Sequence, residues 1–167
     1  EGIIARLFLA KFQAKNIGMG KKIVVIPGLL GTDYSTSLLR TFLVKLGFEV
    51  TGWQLGRNLG KFEKLAILTQ RIESMQSEVI LIGWSMGGIF ARELAKSRPD
   101  LVSRVITVGS PFANTHAPNW AKWVFELFND ESKLDPAFIA NLPTPPNKPT
   151  LAIYSKTDGI VPWGACM

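Results

Sequence analysis

The most informative stretch of the sequence is Val79-Ile80-Leu81-Ile82-Gly83-Trp84-Ser85-Met86-Gly87-Gly88. Its first four residues predict a buried strand, and the residues from Gly87 onward follow helical spacing. Ser85 stands between them in the pattern G-x-S-x-G. Side chains two residues before and after such a serine would collide across the turn, so both positions must be very small, and Gly83 and Gly87 satisfy this. The stretch predicts a sharp strand–turn–helix with an exposed serine hydroxyl, a candidate nucleophile; an ordinary structural turn is the alternative.

On both sides of this turn, buried-strand patterns alternate with helical ones. This alternation is typical of an α/β domain whose mostly parallel sheet carries helices on both faces. We therefore predict a single domain over residues 1–167. The predicted strands are 22–26, 48–53, 78–82, 102–108 and 150–154, and the predicted helices are 37–46, 65–75 and 87–97.

Residues 111–149 differ from the rest of the chain. They are rich in proline and asparagine, and apolar and aromatic side chains cluster over residues 120–128. This composition indicates a short helical cap or lid inserted between two strands, too short and too often broken by proline to form a second domain. The aromatic cluster is interpreted as a lid or an acyl-binding surface, with plain core packing as the alternative.

Residues 1–20 are predicted to begin with an amphipathic helix, because Ile3, Ile4, Leu7, Phe8 and Phe12 recur at helical spacing. The helix would pack on the domain or touch a membrane surface. Its apolar run is far shorter than the about 20 residues that span a bilayer. A remnant of a longer hydrophobic segment is a further alternative. The layout is not that of a signal peptide, which favours a cytoplasmic or membrane-associated protein.

Composition narrows the classes of function. Apolar residues make up 47% of the 167 residues and charged residues 19%, which excludes an extended disordered protein. The net charge is +6, but the basic residues are scattered, so we expect a solvated surface and no nucleic-acid partner; an anionic membrane or polyanion is the alternative. One cysteine and one histidine can form neither an intramolecular disulfide nor a cysteine-based zinc site.

Two loops after predicted strands add to the candidate site. Asp158 lies just beyond the last predicted strand, where a carboxylate would face the serine, although Asp-Gly is also ordinary turn chemistry.

Residues 56–61 superficially resemble a phosphate-binding loop, but their glycine spacing is one residue short and Phe62 replaces the required Ser or Thr. We reject that assignment and expect this loop to shape a pocket near Ser85.

Together these residues resemble the bacterial lipase/esterase-like branch of the α/β-hydrolase superfamily, from Lys22 to Trp163. The motifs that carry the resemblance are Val24-Val25-Ile26-Pro27-Gly28-Leu29-Leu30-Gly31, Leu55-Gly56-Arg57-Asn58-Leu59-Gly60, Gly83-Trp84-Ser85-Met86-Gly87-Gly88, Gly109-Ser110-Pro111-Phe112 and Tyr154-Ser155-Lys156-Thr157-Asp158-Gly159-Ile160-Val161-Pro162-Trp163.

The resemblance implies hydrolysis of a small carboxylic ester or lipid through an acyl-enzyme on Ser85, without a metal or an organic cofactor. It assigns Asp158 as the triad acid. It also assigns the backbone N–H groups of Leu29 and Met86 as the oxyanion hole, the second of these at a helix N-terminus where the dipole favours negative charge.

The chain departs from the family at the histidine. The family order is Ser, acid, His, with the His in a loop after one more strand. Here the chain stops at Met167, nine residues beyond Asp158, and none of those nine is His. We therefore expect that the His-bearing part is missing and that this chain is weak or inactive. His116 precedes the acid; it is interpreted as a surface or cap residue, with a role as base as the alternative.

Two other functions fit the same residues. One is a non-catalytic binding module or an incomplete fold, in which a homo-oligomer would cover an exposed sheet edge. The other is an acyltransferase, or a lipid-remodelling amidase, that uses the same serine.

Overall fold

The computed structural model describes residues 17–113 and 136–167, which contain five β-strands, four α-helices and three short 3₁₀ helices. The strands are β1 (Lys22–Ile26), β2 (Glu49–Gly52), β3 (Val79–Trp84), β4 (Val102–Val108) and β5 (Thr150–Ile153). The helices are α1 (Ser37–Lys45), α2 (Glu63–Glu73), α3 (Met86–Ser97) and α4 (Pro136–Asn141). The 3₁₀ turns are Asp33–Thr36, Pro99–Leu101 and Trp163–Cys166.

The five strands form one sheet in the order β2-β1-β3-β4-β5, and all four pairings are parallel. The central strand, β3, lies between β1 and β4, with Gly83 opposite Ile26 on one side and Thr107 on the other. Because all strands run the same way, the loops that follow them gather at one edge of the sheet. This is the edge at which open α/β sheets bind their ligands.

Helices cover both faces of the sheet because successive strand residues point to opposite sides. On one face, alternate residues such as Val24 and Leu81 pack against α2 and α3. On the other face, Val25 and Ile82 pack with Leu43 of α1. β1 and β3 are thus covered on both faces, which explains why residues 23–26 and 79–82 are apolar without polar alternation. The predicted α/β fold with a parallel sheet is confirmed.

The outer edge of β5 is less well covered. Leu151 and Ile153 are exposed by 50% and 48%, respectively, whereas Val24 and Leu81 of the central strands are almost fully buried. The two side chains share one face of the strand, since they are two residues apart. This side of the sheet therefore presents apolar surface.

Some predictions lie outside the described residues. They are residues 1–16 of the amphipathic helix predicted over 1–20, the cluster at 120–128 and His116. Residues 17–20 of that prediction are described, and they form a bend and a turn instead of a helix, with Met19 and Gly20 both at positive φ. The described end of the predicted insertion, residues 136–149, is packed on the domain, because Leu142 is buried in the larger core cluster. No helix in the described ranges is long and apolar enough to span a membrane.

Candidate active site at the turn between β3 and α3

Ser85 is the only residue between β3, which ends at Trp84, and α3, which begins at Met86. Its backbone lies at φ 51° and ψ −120°, a conformation that glycine adopts readily and an L-residue rarely does. Strain of this kind persists only where the surrounding structure enforces it, and it is concentrated at functional sites. The turn predicted from G-x-S-x-G is present, with the serine at its apex.

Backbone contacts explain the glycines around the serine. A Cβ on Gly83 would overlap the carbonyl of Gly87, across the turn. A Cβ on Gly87 would overlap the carbonyl of Ile26 and lie 2.7 Å from that of Pro27, at the end of β1. A Cβ on Gly88 would overlap the hydroxyl of Ser110. Only glycine therefore allows α3 to begin this close to the sheet.

The loop over residues 27–31, called the oxyanion loop after the role predicted for Leu29, follows β1 and lies directly beside the serine. A Cβ on Gly28 would be 3.3 Å from the Cβ of Ser85, which is tighter than most Cβ contacts. Leu30 in this loop has φ 59°, so a non-glycine residue again adopts the left-handed region. The loop therefore brings the backbone of Gly28 and Leu29 next to Ser85.

The two N–H groups predicted to form the oxyanion hole are those of Leu29 and Met86. Neither donates a hydrogen bond to any other residue within 17–113 and 136–167. Met86 is the first residue of α3, and the first N–H groups of a helix have no partner inside the helix. Because buried N–H groups are nearly always paired, two donors that lack a partner in the described chain, one following Ser85 and one in the loop packed beside it, are suited to an anionic oxygen.

A second loop holds the oxyanion loop in place. Asn58 accepts from the N–H of Leu30 (2.7 Å) and donates its own N–H to Gly31 (2.8 Å). Its side-chain amide donates to the carbonyl of Pro27 (2.8 Å) and accepts from the N–H of Gly60 (3.1 Å). From the sequence we expected this loop to shape the pocket, but these contacts were not predicted.

Asp158 lies in the loop after β5, and its carboxylate is held by the backbone. One oxygen, Oδ1, accepts from the N–H groups of Ile160 (2.9 Å) and Val161 (3.1 Å). The other, Oδ2, would lie 3.3 Å from a Cβ on Gly109, at the end of β4. Since β4 is the neighbour of β3, the carboxylate and Ser85 lie at the same edge of the sheet.

Cys166 lies close to this carboxylate, a relationship that the sequence did not suggest. Its side chain is buried, and its thiol lies 3.9 Å from the carbonyl of Pro162. Burial, with a further contribution from the negative charge of Asp158, raises the pKa of the thiol to about 11. At neutral pH it is therefore a protonated, apolar neighbour of the site.

Arg92 of α3 is a buried cation behind the turn. Its guanidinium donates to the carbonyls of Leu142, Pro143 and Thr144, at 3.3, 3.1 and 3.0 Å. It also lies 3.8 Å from the centre of the Phe112 ring. Burial lowers its pKa from the usual value. Arg92 thus fastens both described ends of the predicted insertion to the helix that carries Ser85.

The described residues contain no group of three or more His, Cys, Asp or Glu side chains that could hold a metal ion. The geometry instead combines a strained serine, two N–H donors and a carboxylate at one sheet edge. Such a set can activate and stabilise an acyl-transfer reaction if an imidazole bridges serine and carboxylate.

Comparisons with known proteins agree with this description. A family model described as "alpha/beta hydrolase fold" matches residues 73–143. A monoacylglycerol lipase from Paleococcus ferrophilus superposes with a TM-score of 0.62 at 16% identity, covering 87% of this chain and 79% of that one. A hydrolase from Pseudomonas aeruginosa gives 0.59 at 12% identity, covering 87% and 76%.

A probable hydrolytic enzyme from Pseudomonas aeruginosa gives a TM-score of 0.51 at 15% identity; the match covers 76% of this chain and only 51% of that one, about half its length. No protein of curated function matches the chain by sequence. At these identities the structural neighbours establish the fold. Parallel sheet, turn and family model agree, and the chain is a protein of the α/β-hydrolase fold.

Proposed function

We propose that this hydrolase-fold chain cleaves carboxylic esters through an acyl-enzyme on Ser85. The observation that carries the proposal is the backbone of Ser85, held at φ 51° between β3 and α3. A serine in this conformation is less stable than a glycine would be, so a chemical role gives a reason for its presence. The site supports the proposal further with the N–H groups of Leu29 and Met86 nearby.

In the proposed reaction, the Oγ of Ser85 attacks the ester carbonyl carbon and its proton passes to a base. The carbonyl oxygen becomes an oxyanion, which accepts from the N–H groups of Leu29 and Met86. The C–O bond to the alcohol then breaks, and the alcohol leaves with the proton from the base. Water, deprotonated by the same base, attacks the acyl-serine; the bond to Oγ then breaks, the carboxylic acid leaves, and the base returns its proton to the Oγ of Ser85.

Asp158 is proposed to orient the base. Its Oδ1 already accepts two backbone N–H groups, and Oδ2 remains available to accept from an imidazole. The chain has a single histidine, His116, which lies outside the described residues. The proposal therefore requires an imidazole that hydrogen-bonds both the hydroxyl of Ser85 and the carboxylate of Asp158.

Apolar esters are the proposed substrate class. Large apolar side chains are exposed in the loops at the edge that carries the serine, among them Leu30 (57%) and Ile160 (78%), and Trp84 next to Ser85 is half exposed. Such a rim would favour an acyl chain over a charged group, because covering it removes apolar surface from water. The similarity to a monoacylglycerol lipase supports the same class.

The test is labelling with a fluorophosphonate probe, followed by peptide mass analysis. The wild-type chain, Ser85→Ala and His116→Ala would be compared, with circular dichroism to establish that each is folded. Labelling of Ser85 in the wild type but not in Ser85→Ala supports the proposal. Loss of labelling in His116→Ala as well would identify His116 as the base. A folded wild-type chain that is never labelled would overturn the proposal for this chain.

A further inference from the structure

Asn58 is fully buried, although a buried amide is unfavourable unless all of its polar atoms are paired. Both side-chain atoms are paired: Nδ2 donates to the Pro27 carbonyl and Oδ1 accepts from Gly60. The opposite orientation of the amide would set oxygen against oxygen and N–H against N–H. The contacts therefore require an amide, which both donates and accepts, at this position.

These bonds bracket the part of the oxyanion loop that lies beside Ser85. Asn58 contacts the loop before Gly28, at the Pro27 carbonyl, and after Leu29, at the Leu30 N–H and the Gly31 carbonyl. The peptide between Gly28 and Leu29, which carries the Leu29 N–H, is therefore held from both sides. The left-handed backbone of Leu30 is held by the same set of bonds.

We propose that Asn58 is a positioning residue that orients the Leu29 N–H toward the oxyanion. This inference rests on the proposed function, since it assigns Asn58 to the same site. The hydrogen bonds of Asn58 are made with the oxyanion loop and with Gly60, so it acts through the backbone of that loop. A donor displaced by a fraction of an ångström loses much of its stabilisation of the transition state, because preorganisation supplies that stabilisation.

The test compares the rate constant of fluorophosphonate labelling of Ser85 in wild type, Asn58→Asp and Asn58→Ala. The phosphonyl oxygen of the probe would occupy the oxyanion hole as it reacts. Asn58→Asp keeps the size of the side chain but sets a carboxylate oxygen against the Pro27 carbonyl. Asn58→Ala removes the side chain and keeps both backbone bonds. We expect both variants to react roughly tenfold to a hundredfold more slowly than wild type.

The matched control is Ile72→Val, which removes one buried methylene from α2 and none of the hydrogen bonds that Asn58 makes with the oxyanion loop. It should be labelled at the wild-type rate even if its melting temperature falls as far as that of Asn58→Ala. A folded Asn58 variant labelled at the wild-type rate would overturn the inference. So would an Ile72→Val chain slowed as much as the Asn58 variants, since the effect would then reflect general destabilisation.

A second readout separates this inference from the proposed function. Hydrogen exchange of the Leu30 amide, whose acceptor is the Asn58 carbonyl, can be measured by nuclear magnetic resonance without any reaction at Ser85. We expect it to be roughly tenfold faster in Asn58→Ala, with the Leu101 amide unchanged. If wild type is not labelled at all, the proposed function fails, and unchanged exchange at Leu30 would overturn the positioning role on its own.

Discussion

The backbone N–H of Ser85 donates to the carbonyl of Val108 at 2.8 Å, so the turn that carries the serine is tied to the end of the neighbouring strand. Val108 is also the register partner of Trp84, the last residue of β3. The strained backbone of Ser85 is therefore enforced by a bond to β4 on one side and by the start of α3 on the other. Local preference alone would not produce it.

Replacing Ser85 by glycine should stabilise the fold by about 1 to 2 kcal/mol, because glycine adopts a positive φ without steric conflict. Ser85→Ala loses the same hydroxyl but retains a Cβ and the strain, so it is the matched control. Urea unfolding of the three chains would measure the difference. Equal stabilities for the glycine and alanine variants would show that the strain is not significant.

Adding one methyl group at Gly83 should destabilise the chain by about 3 kcal/mol or more, because the atoms it meets are the backbone of Gly87 and Gly88 and cannot move aside. The control is Gly159→Ala: a Cβ there meets nothing within 4 Å. Thermal unfolding of both variants would report the difference. A Gly83→Ala chain as stable as Gly159→Ala would contradict the tight turn.

Arg92→Met should lower the free energy of unfolding by about 2 to 4 kcal/mol, since three carbonyls lose a charged donor and methionine restores only the packing. Arg104→Met is the control, because Arg104 is exposed on β4. We also expect faster proteolysis near Leu142 in the Arg92 variant. Indistinguishable unfolding curves for the two variants would contradict this role of Arg92.

Cys166 should react with iodoacetamide about a hundredfold more slowly at pH 8 than a thiol with the ordinary pKa of 9.0, because its pKa is about 11 and only the thiolate reacts. The raised pKa also predicts the direction of a stability change. The folded chain binds the thiol proton more tightly than the unfolded chain, so its contribution is complete below about pH 9 and is lost as pH rises through about 11.

The reference for that stability change is Cys166→Ala, which should lack this part of the pH dependence. Asp158→Asn should lower the pKa of the thiol, since the negative charge of Asp158 contributes to raising it. Ultraviolet absorbance of the thiolate would follow the titration directly. A midpoint unchanged by Asp158→Asn would show that burial alone accounts for the shift.

Most of the fold was predictable from local pattern. The bounds of β1 and β4 agree with the predicted 22–26 and 102–108, because β1 is an apolar run closed by Pro27-Gly28 and β4 is rich in β-branched residues and is followed by Gly109. The turn at Ser85 was also predictable, because the backbone atoms around it leave no room for a Cβ at positions 83 and 87, and glycine therefore occupies both. Boundaries that depend on capping, such as the start of α2, shifted by two residues or so.

Contacts distant in sequence were not predictable. Asn58 and Pro27 are 31 residues apart, and nothing local to either indicates that a hydrogen bond joins them. The burial of Arg92 was not predictable either, because an arginine in an amphipathic helix is normally assigned to the solvent face. Only the tertiary structure reveals that the carbonyls of residues 142–144 surround its guanidinium.

The packing of backbone against backbone around the turn has an evolutionary consequence. Gly83 and Gly87 are required for this turn to form, whether or not the chain catalyses anything, so a relative without catalytic activity would keep both. The serine between them is not required for folding, because glycine at position 85 would adopt the same positive φ with less steric strain. Among related sequences that are not selected for catalysis, we expect substitutions at position 85 first, while the glycines at positions 83 and 87 stay unchanged.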